Sequence, residues 1–575
     1  MTASYDLVIR GGTIVDGTGK PGFRGDLAVK DGKVAAVGKI EGAGKEEIDA
    51  TGRIVAPGFV DVHTHLDGHA TWANRLNPSS AHGVTTVLMG NCGVGFAPCK
   101  PEDRHRLVHL MEGVEDIPEI VMTEGLSWNW RSFPDYLDRL DERQYDMDVA
   151  AQLPHAPLRV FVMGERAAAR EPATADDIAQ MRELAKEAIE AGALGFSTSR
   201  SINHKATDGT LTPTYGTAAD ELAGIAQGLG EIGKGVLQLI SDWEDVDAEF
   251  AVLRRMVSES GRPLATTVLQ MHSAPDRWRQ VLDRIEVAAA DGLPIKAQVA
   301  GRPQGVVMGL QLSRNPFMWT GGYREVEHLP FEEKLAALRD PVRREGIISE
   351  SEVLPDDLDW MQRLFASNFA SMFEYDGNYE PRPEQSMASR AAAAGVSPQA
   401  YAYDLMVSGD GSTVITMPAA NFHGFSADAM KTMVTHDNTI WALGDSGAHC
   451  GLLCDASLPT YMLQRWAAPN GGPLPIEEVI RGLSSSTAAS VGLYDRGVLA
   501  AGYRADINVI DVANVRVGKP QMREDLPNGG RQLSQTASGF DATIVGGVVT
   551  YRKGESTGAL PGRLVRGAQP APVDA

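Results

Sequence analysis

Short apolar runs separated by glycine and aspartate turns fill residues 4 to 56: DLVIRG, DLAVK, KVAAVG and RIVAP, divided by DGTG and DGK. Runs of this length between such turns predict hairpins of a small antiparallel sheet. A single such sheet leaves an apolar face open. The far end of the chain offers a matching half, ADINVID (505–511) and ATIVGGVVTYR (542–552), again bounded by glycine. Between about 58 and 490 the pattern changes to short apolar strands alternating with amphipathic helical stretches such as 175–191 and 219–233. That alternation is the mark of a parallel-sheet α/β domain. Candidate strands are FVDVHTH (59–65), VTTVLMG (84–90), MDVAAQL (147–153), ALGFSTS (193–199), GVLQLIS (235–241), PLATTVL (263–269), IKAQVA (295–300) and TIWALGD (439–445). Eight strand–helix units over roughly 430 residues predict a (β/α)8, TIM-like barrel with insertions, a doubly wound sheet being the alternative.

The longest departure from the alternation is 330–405, charged and partly helical, which reads as an insertion after the seventh strand, either a lid or an oligomer contact. Residues 556–575 read as a loose tail or an arm. The 575 residues, 43% apolar and 22% charged, describe a soluble globular protein large enough for one big domain or several ordinary ones. A formal charge of −22, from 53 basic and 75 acidic side chains, argues against nucleic acid or an anionic membrane as partner. The start, MTASYDLVIRGG, lacks a basic region followed by an apolar core, and no stretch approaches the roughly 20 apolar residues of a membrane span. Four cysteines make no disulfide framework, so the expected compartment is the cytoplasm.

The chemistry gathers where strands end. Phe59, Val60 and Val62 begin a buried strand whose end carries His63 and His65 at i and i+2. Strand side chains alternate faces, so the two imidazoles point the same way and form a clamp for a borderline-soft ion such as Zn²⁺, with Asp61 and Asp67 behind them. Two histidines satisfied at a strand end are the alternative. In a barrel all strand ends converge on one face, so Asp445, closing the eighth strand, completes a His/His/Asp set that leaves a position open for water. A metal there lowers the pKa of water toward ~7, and Asp445 is expected to accept its proton and pass it to a leaving amine. The alternative for Asp445 is capping of the following turn.

The stretch YDLVIRGGTIVDGTG, then GDLAVKDGKVAAVG, then IDATGRIVAPGFVDVHTHLD resembles the N-terminus of the amidohydrolase superfamily, and in particular its N-acyl-D-amino-acid deacylase (D-aminoacylase) branch. GNCGVGFAP at 90–98, LGDSGAHCGLLCDAS at 443–457 and STAASVGLYDRGVLAAGYRADINVID at 486–511 support it. The resemblance implies that both chain ends build one small β-sandwich domain, 1–57 plus 490–555, around an inserted metal-dependent barrel, 58–489. It implies a metal-dependent hydrolase of non-peptide carbon–nitrogen bonds, acting on a small N-acyl amino acid, and makes a homo-oligomer plausible. It also implies a metal-ligating role for Cys92, a soft thiolate beside Gly90, Gly93 and Gly95; a buried inert thiol is the alternative.

The chain departs from this branch at two places. Its relatives carry metal-binding histidines at the ends of strands five and six, whereas GVLQLISDWED and PLATTVLQMHS have none in position; nor does ALGFSTSR offer the lysine that other amidohydrolases carboxylate to bridge two metals. One ion, on His63, His65, Asp445 and Cys92, is therefore expected, zinc or another divalent metal; the alternative fills a second site with Gln238, Asp242 or His272. His155, after the third strand, is a candidate to stabilise an oxyanion. Arg200, His204 and Arg302 are positive candidates for substrate, the arginines suited to a carboxylate unless surface salt bridges take them. His449 is placed to orient the site, while Trp128 and Trp130 wall an acyl pocket or pack between barrel and loop. Competing functions are hydrolysis of a cyclic amide or imide, acyl transfer or peptide tailoring, and a non-catalytic homologue that kept the fold.

Overall fold

In a computed structural model of the chain, residues 4–358 and 360–573 are described. The fold is mixed α/β. Strands from both chain ends join in one nine-stranded sheet, running from Glu555–Ser556 through Val548–Arg552, Phe540–Val545, Ile507–Ile510, Ile54–Pro57, Tyr5–Ile14 and Phe23–Lys30 to Lys33–Gly38, with Gly44–Asp49 beside Tyr5–Ile14. The two ends meet where Val55 pairs antiparallel with Val509. Leu7, Ile9, Val55, Ile507, Val509 and Ile544 supply one buried apolar cluster, because strand side chains alternate and one face of each strand is apolar.

From Pro57 the chain passes into the first of eight parallel strands: β1 (Phe59–Asp61), β2 (Val84–Met89), β3 (Asp148–Ala151), β4 (Gly195–Arg200), β5 (Val236–Ser241), β6 (Leu264–Thr267), β7 (Ile295–Val299) and β8 (Thr439–Trp441). β1, β2 and β3 pair in that order, and β4 to β8 pair in theirs. Leu153–Pro154, one residue beyond β3, pairs with β4 and links the two sets. Register is continuous across the second set: Gln238 faces Ala265, Ala265 faces Lys296, and Gln298 faces Ile440. Helices Ala175–Ala191, Ala219–Ile232, Val246–Ser260 and Arg277–Ala290 separate β3 to β7. The first of these starts at a capping box between Thr174 and Asp177, buries Met181, Ala185, Ala188 and Ile189 at helical spacing, and stops at Gly192, whose φ of 114° suits glycine.

Between β7 and β8 lie Gln304–Met308, Phe373–Glu374 and Ile415–Ala420, a three-stranded antiparallel sheet. With the helices of 330–405 they share an apolar cluster that includes Met308, Phe317, Leu335, Ile347, Tyr403 and Met417. The C-terminal residues form an arm along β3: Val149 donates to the Arg563 carbonyl at 3.0 Å and accepts from the Val565 amide at 2.8 Å. Among the described residues no helix is long and apolar enough to cross a membrane.

Candidate metal centre

Three strand ends build the centre. After β1 the chain carries His63 and His65, 1% and 2% exposed. After β2 it turns at Gly90, where a Cβ would run into the Gln152 carbonyl, and places Cys92 in the left-handed region at φ 55°. After β8 it holds Asp445 at φ 43°. Non-glycine residues in this region cost of order 1–3 kcal/mol each and concentrate where surrounding structure forces them, as here at two of the polar groups that converge. The first and eighth strand ends are stitched together: the Asp445 amide donates to the His63 carbonyl at 3.0 Å, and the His65 amide to the Ser446 carbonyl at 2.8 Å.

His63, His65 and Cys92 present ligand atoms that all lie within 4.8 Å of one another. His63 Nε2 stands 3.3 Å from Cys92 Sγ. Asp445 Oδ1 is 3.5 Å from His63 Nε2 and 3.8 Å from His65 Nε2. Ligands held ~2.0–2.3 Å from a tetrahedral ion are about 3.4 Å apart, so the spacing suits one ion. Behind each imidazole a polar group faces Nδ1, and His63 is hydrogen-bonded there. Gln298 Oε1 takes that position on His63 at 2.7 Å, and Glu115 Oε1 lies 3.2 Å from His65 Nδ1. The Cys92 amide donates to Gln238 Oε1 at 3.0 Å. Asp61 accepts the His63 amide and Asp67 the Gly90 amide, both at 3.1 Å, and burial pushes each carboxyl up to about 7. Burial, with Glu115 and Asp445 nearby, raises the Cys92 thiol.

Glu115 is the residue sequence reasoning missed. It ends helix α1 (Arg104–Glu115), is 2% exposed, and lies 3.8 Å from His449 Nε2 through its other oxygen. Burial raises its carboxyl well above the usual range. The available signal was an acid at a helix C-terminus, where the macrodipole disfavours negative charge. Gln298 was missed as well; its signal was an amide inside the apolar IKAQVA strand. His204 and His449 belong to the same neighbourhood, since each acts electrostatically on His65. Burial holds His204 at about 4, so it is a neutral hydrogen-bonding ring at neutral pH and not the positive group expected. Its Nδ1 meets Ser199 Oγ at 2.8 Å.

Among the remaining predicted residues, His155, Arg200, Arg302 and Asp242 have their polar ends engaged elsewhere. His155 meets Thr198 Oγ1 at 2.8 Å and Glu221 Oε1 at 3.0 Å, so both ring nitrogens are used. Arg200 is forked onto Glu249 at 2.6 and 2.9 Å. Arg302 is 1% exposed and paired with Asp455, with Ser457 Oγ at 2.8 Å and the Tyr379 ring beneath it. Asp242 accepts from Ser201 Oγ and the Ile202 amide, and His272 stacks edge-on with His423. Of the three candidates for a second metal, Gln238 alone touches the cluster, through its bond to Cys92. Trp130 donates to the Phe96 carbonyl and packs against Tyr136, with Trp128 beside it.

Comparison with known proteins gives the family. The sequence model for the amidohydrolase family matches residues 46–551. N-acyl-D-aspartate deacylase of Alcaligenes xylosoxydans xylosoxydans is 28% identical over 592 aligned positions, covering 100% of this chain and 96% of its own. D-aminoacylase of the same organism is 37% identical over 195 residues, 34% of this chain and 37% of its own length. Among solved structures, a D-aminoacylase described as having a binuclear metal center with one-metal activation superposes with a TM-score of 0.65 at 22% identity, covering 98% of this chain and all of that one. N-acyl-D-glutamate deacylase from Bordetella bronchiseptica, complexed with zinc and a phosphonate mimic of the tetrahedral intermediate, gives 0.62 at 22%, covering 98% and 99%. The fold is that of D-aminoacylase, and with most of its length matched the chain belongs to the amidohydrolase family.

Proposed function

We propose that this protein is a metal-dependent deacylase of N-acyl amino acids, of the D-series, cleaving the amide to a carboxylic acid and a free amine. The observation that carries it is the convergence of His63, His65, Cys92 and Asp445 from three strand ends, with donor atoms at ion-binding spacing. The end-to-end relationship with an N-acyl-D-aspartate deacylase supports the substrate class. In the same reading the eight parallel strands close as a (β/α)8 barrel, the sheet from both chain ends is a β-sandwich domain, and one zinc or similar divalent ion is held by the two imidazoles, the thiolate and the Asp445 carboxylate.

A divalent ion supplies Lewis acidity at a substrate carbonyl and lowers the pKa of water. The chain's own groups do the rest. Gln298 keeps the His63 ring turned toward the centre, and Glu115 lies behind the His65 ring. Asp445 takes the proton of the attacking water and returns it to the departing nitrogen, the work of a positioned general base and then acid. His449 and His204, neighbours of His65, are placed to hydrogen-bond the acyl oxygen; His155, Arg200 and Arg302, whose polar ends are already engaged, serve the scaffold.

The test is elemental analysis of purified protein together with hydrolysis of paired N-acetyl-D- and N-acetyl-L-amino acids. One ion per chain, turnover of the D-series and loss of turnover in Asp445→Ala support the reading. Wild-type protein that is metal-loaded yet inert on every linear amide, or that opens only cyclic amides, sinks it.

A further inference from the structure

A cavity of about 700 Å³ lies at the opposite end of the eight strands from the metal cluster. Its lining names the end: Val236, Leu264 and Thr439 are the first residues of β5, β6 and β8, and Pro263 and Pro294 directly precede β6 and β7. It opens beside Tyr494, which is 52% exposed, and reaches inward to Gln152, Gln238 and Gln298. That volume falls within the ~300–1,000 Å³ of small-molecule sites, whereas the interior of eight parallel strands is normally filled by branched apolar side chains.

Two features point to an occupant. Lys296 lines the cavity from β7, two residues before Gln298 and hence on the same strand face. Ile295, Ala297 and Val299, on the other face, are buried. Lys296 itself is exposed, at the mouth of the cavity, and among the described residues it has no hydrogen bond or ion pair. The other cations on the lining do: Arg481 is held by Glu478 at 2.7 Å and His436 by Glu286 at 2.9 Å, and Asp437 sits exposed at the rim. At the inner end, Gln238 Nε2 and Gln152 Oε1 are buried without hydrogen-bond partners. Buried polar atoms left unpaired cost about 1–3 kcal/mol each, so protein groups alone do not close the inner end of the cavity. Between these ends the wall is apolar: Val62, Leu88, Ala265 and Ile440.

We propose that this cavity is a second small-molecule site, entered from the opposite end of the strands to the metal cluster, for a monocarboxylate with a medium-length apolar chain. Its carboxylate pairs with Lys296 Nζ, and its chain lies along Val62, Leu88, Ala265 and Ile440. The site does not depend on the reaction proposed for the other end.

Sodium hexanoate is the probe, with hexylamine as the control that has the same chain and opposite charge. Calorimetry is run on wild type, Lys296→Met, Lys296→Arg and Asp445→Ala, each checked for folding by its thermal melt, and a wild-type crystal is soaked in hexanoate. Hexanoate is expected to bind about tenfold more weakly to Lys296→Met, with affinity recovered in Lys296→Arg and unchanged in Asp445→Ala. Hexylamine should not bind, and density for the carboxylate should lie on Lys296. Equal affinity in wild type and Lys296→Met, hexanoate density confined to the metal cluster, or ordered water only in the cavity overturns the proposal.

Discussion

Gln298 Oε1 stands 2.7 Å from Nδ1 of His63, a buried contact that fixes how the first strand offers its histidine. An amide oxygen only accepts, so Nδ1 carries the proton and Nε2, facing Cys92 and Asp445, keeps the free lone pair an ion needs. Removing the oxygen while keeping the volume, as in Gln298→Leu, should weaken metal binding by about 10–100-fold, with little effect on stability beyond the lost bond. Chelator competition measures it. Unchanged affinity would mean that the contact packs the strand and does not set the ligand.

Cys92 distinguishes a sulfur-containing centre from one built of imidazole and carboxylate alone. Its Sγ lies 3.3 Å from His63 Nε2 at the end of a backbone held at positive φ. In cobalt-substituted protein a ligating thiolate gives a near-ultraviolet charge-transfer band, which Cys92→Ser should abolish. Metal affinity should fall in the same variant, since a hydroxyl is a harder and far weaker ligand than a thiolate. A band that survives the substitution would place the thiol outside the coordination sphere.

The sequence made the architecture legible because both of its patterns are strong. Short apolar runs between glycine and aspartate turns at the chain ends and strand–helix alternation between them map onto the nine-stranded sheet and onto β1 to β8. Part of the candidate centre was legible for a related reason: parallel strands bring their C-terminal ends together, so His63 and Asp445 could be joined across 382 positions without knowing any distance, while Cys92 came from the family resemblance. What stayed hidden depends on loops and helices whose path has no period. Glu115 lies beside His65 from a helix end, and the partners that take Arg200 and Arg302, Glu249 and Asp455, lie 49 and 153 positions away. A side chain's charge is written in the sequence, but whether another charge has already claimed it is not.

Arg302 and Asp455 form an ion pair with side chains only 2% and 4% exposed. Breaking such a pair leaves one charge buried without compensation, a loss of about 3–5 kcal/mol. Arg302→Met is expected to lose that much in urea unfolding, while the fraction that stays folded keeps its KM. A rise in KM with stability unchanged would return Arg302 to the substrate-binding role that its position after β7 suggested.

His82 supplies a pH dependence away from the metal cluster. It is fully buried, with Nε2 on the Gln535 carbonyl at 3.0 Å, Nδ1 on Thr460 Oγ1 at 2.6 Å, and the Arg302 charge nearby. Burial lowers its pKa from 6.5 to about 4. The folded protein therefore resists a proton that the unfolded chain accepts. Its contribution to stability is complete above pH ~6.5 and is lost as the pH falls toward ~4, at up to about 1.4 kcal/mol per unit and ~3 kcal/mol in all. His82→Gln cannot take up that proton. The difference in unfolding free energy between wild type and His82→Gln, followed by denaturant titration, should therefore shift steadily against the wild type as the pH is lowered through this window. The comparison cancels the other buried histidines, His69 among them, which titrate alike in both proteins. A difference that stays constant across the window would show that His82 is protonated as readily in the folded chain as in the unfolded one.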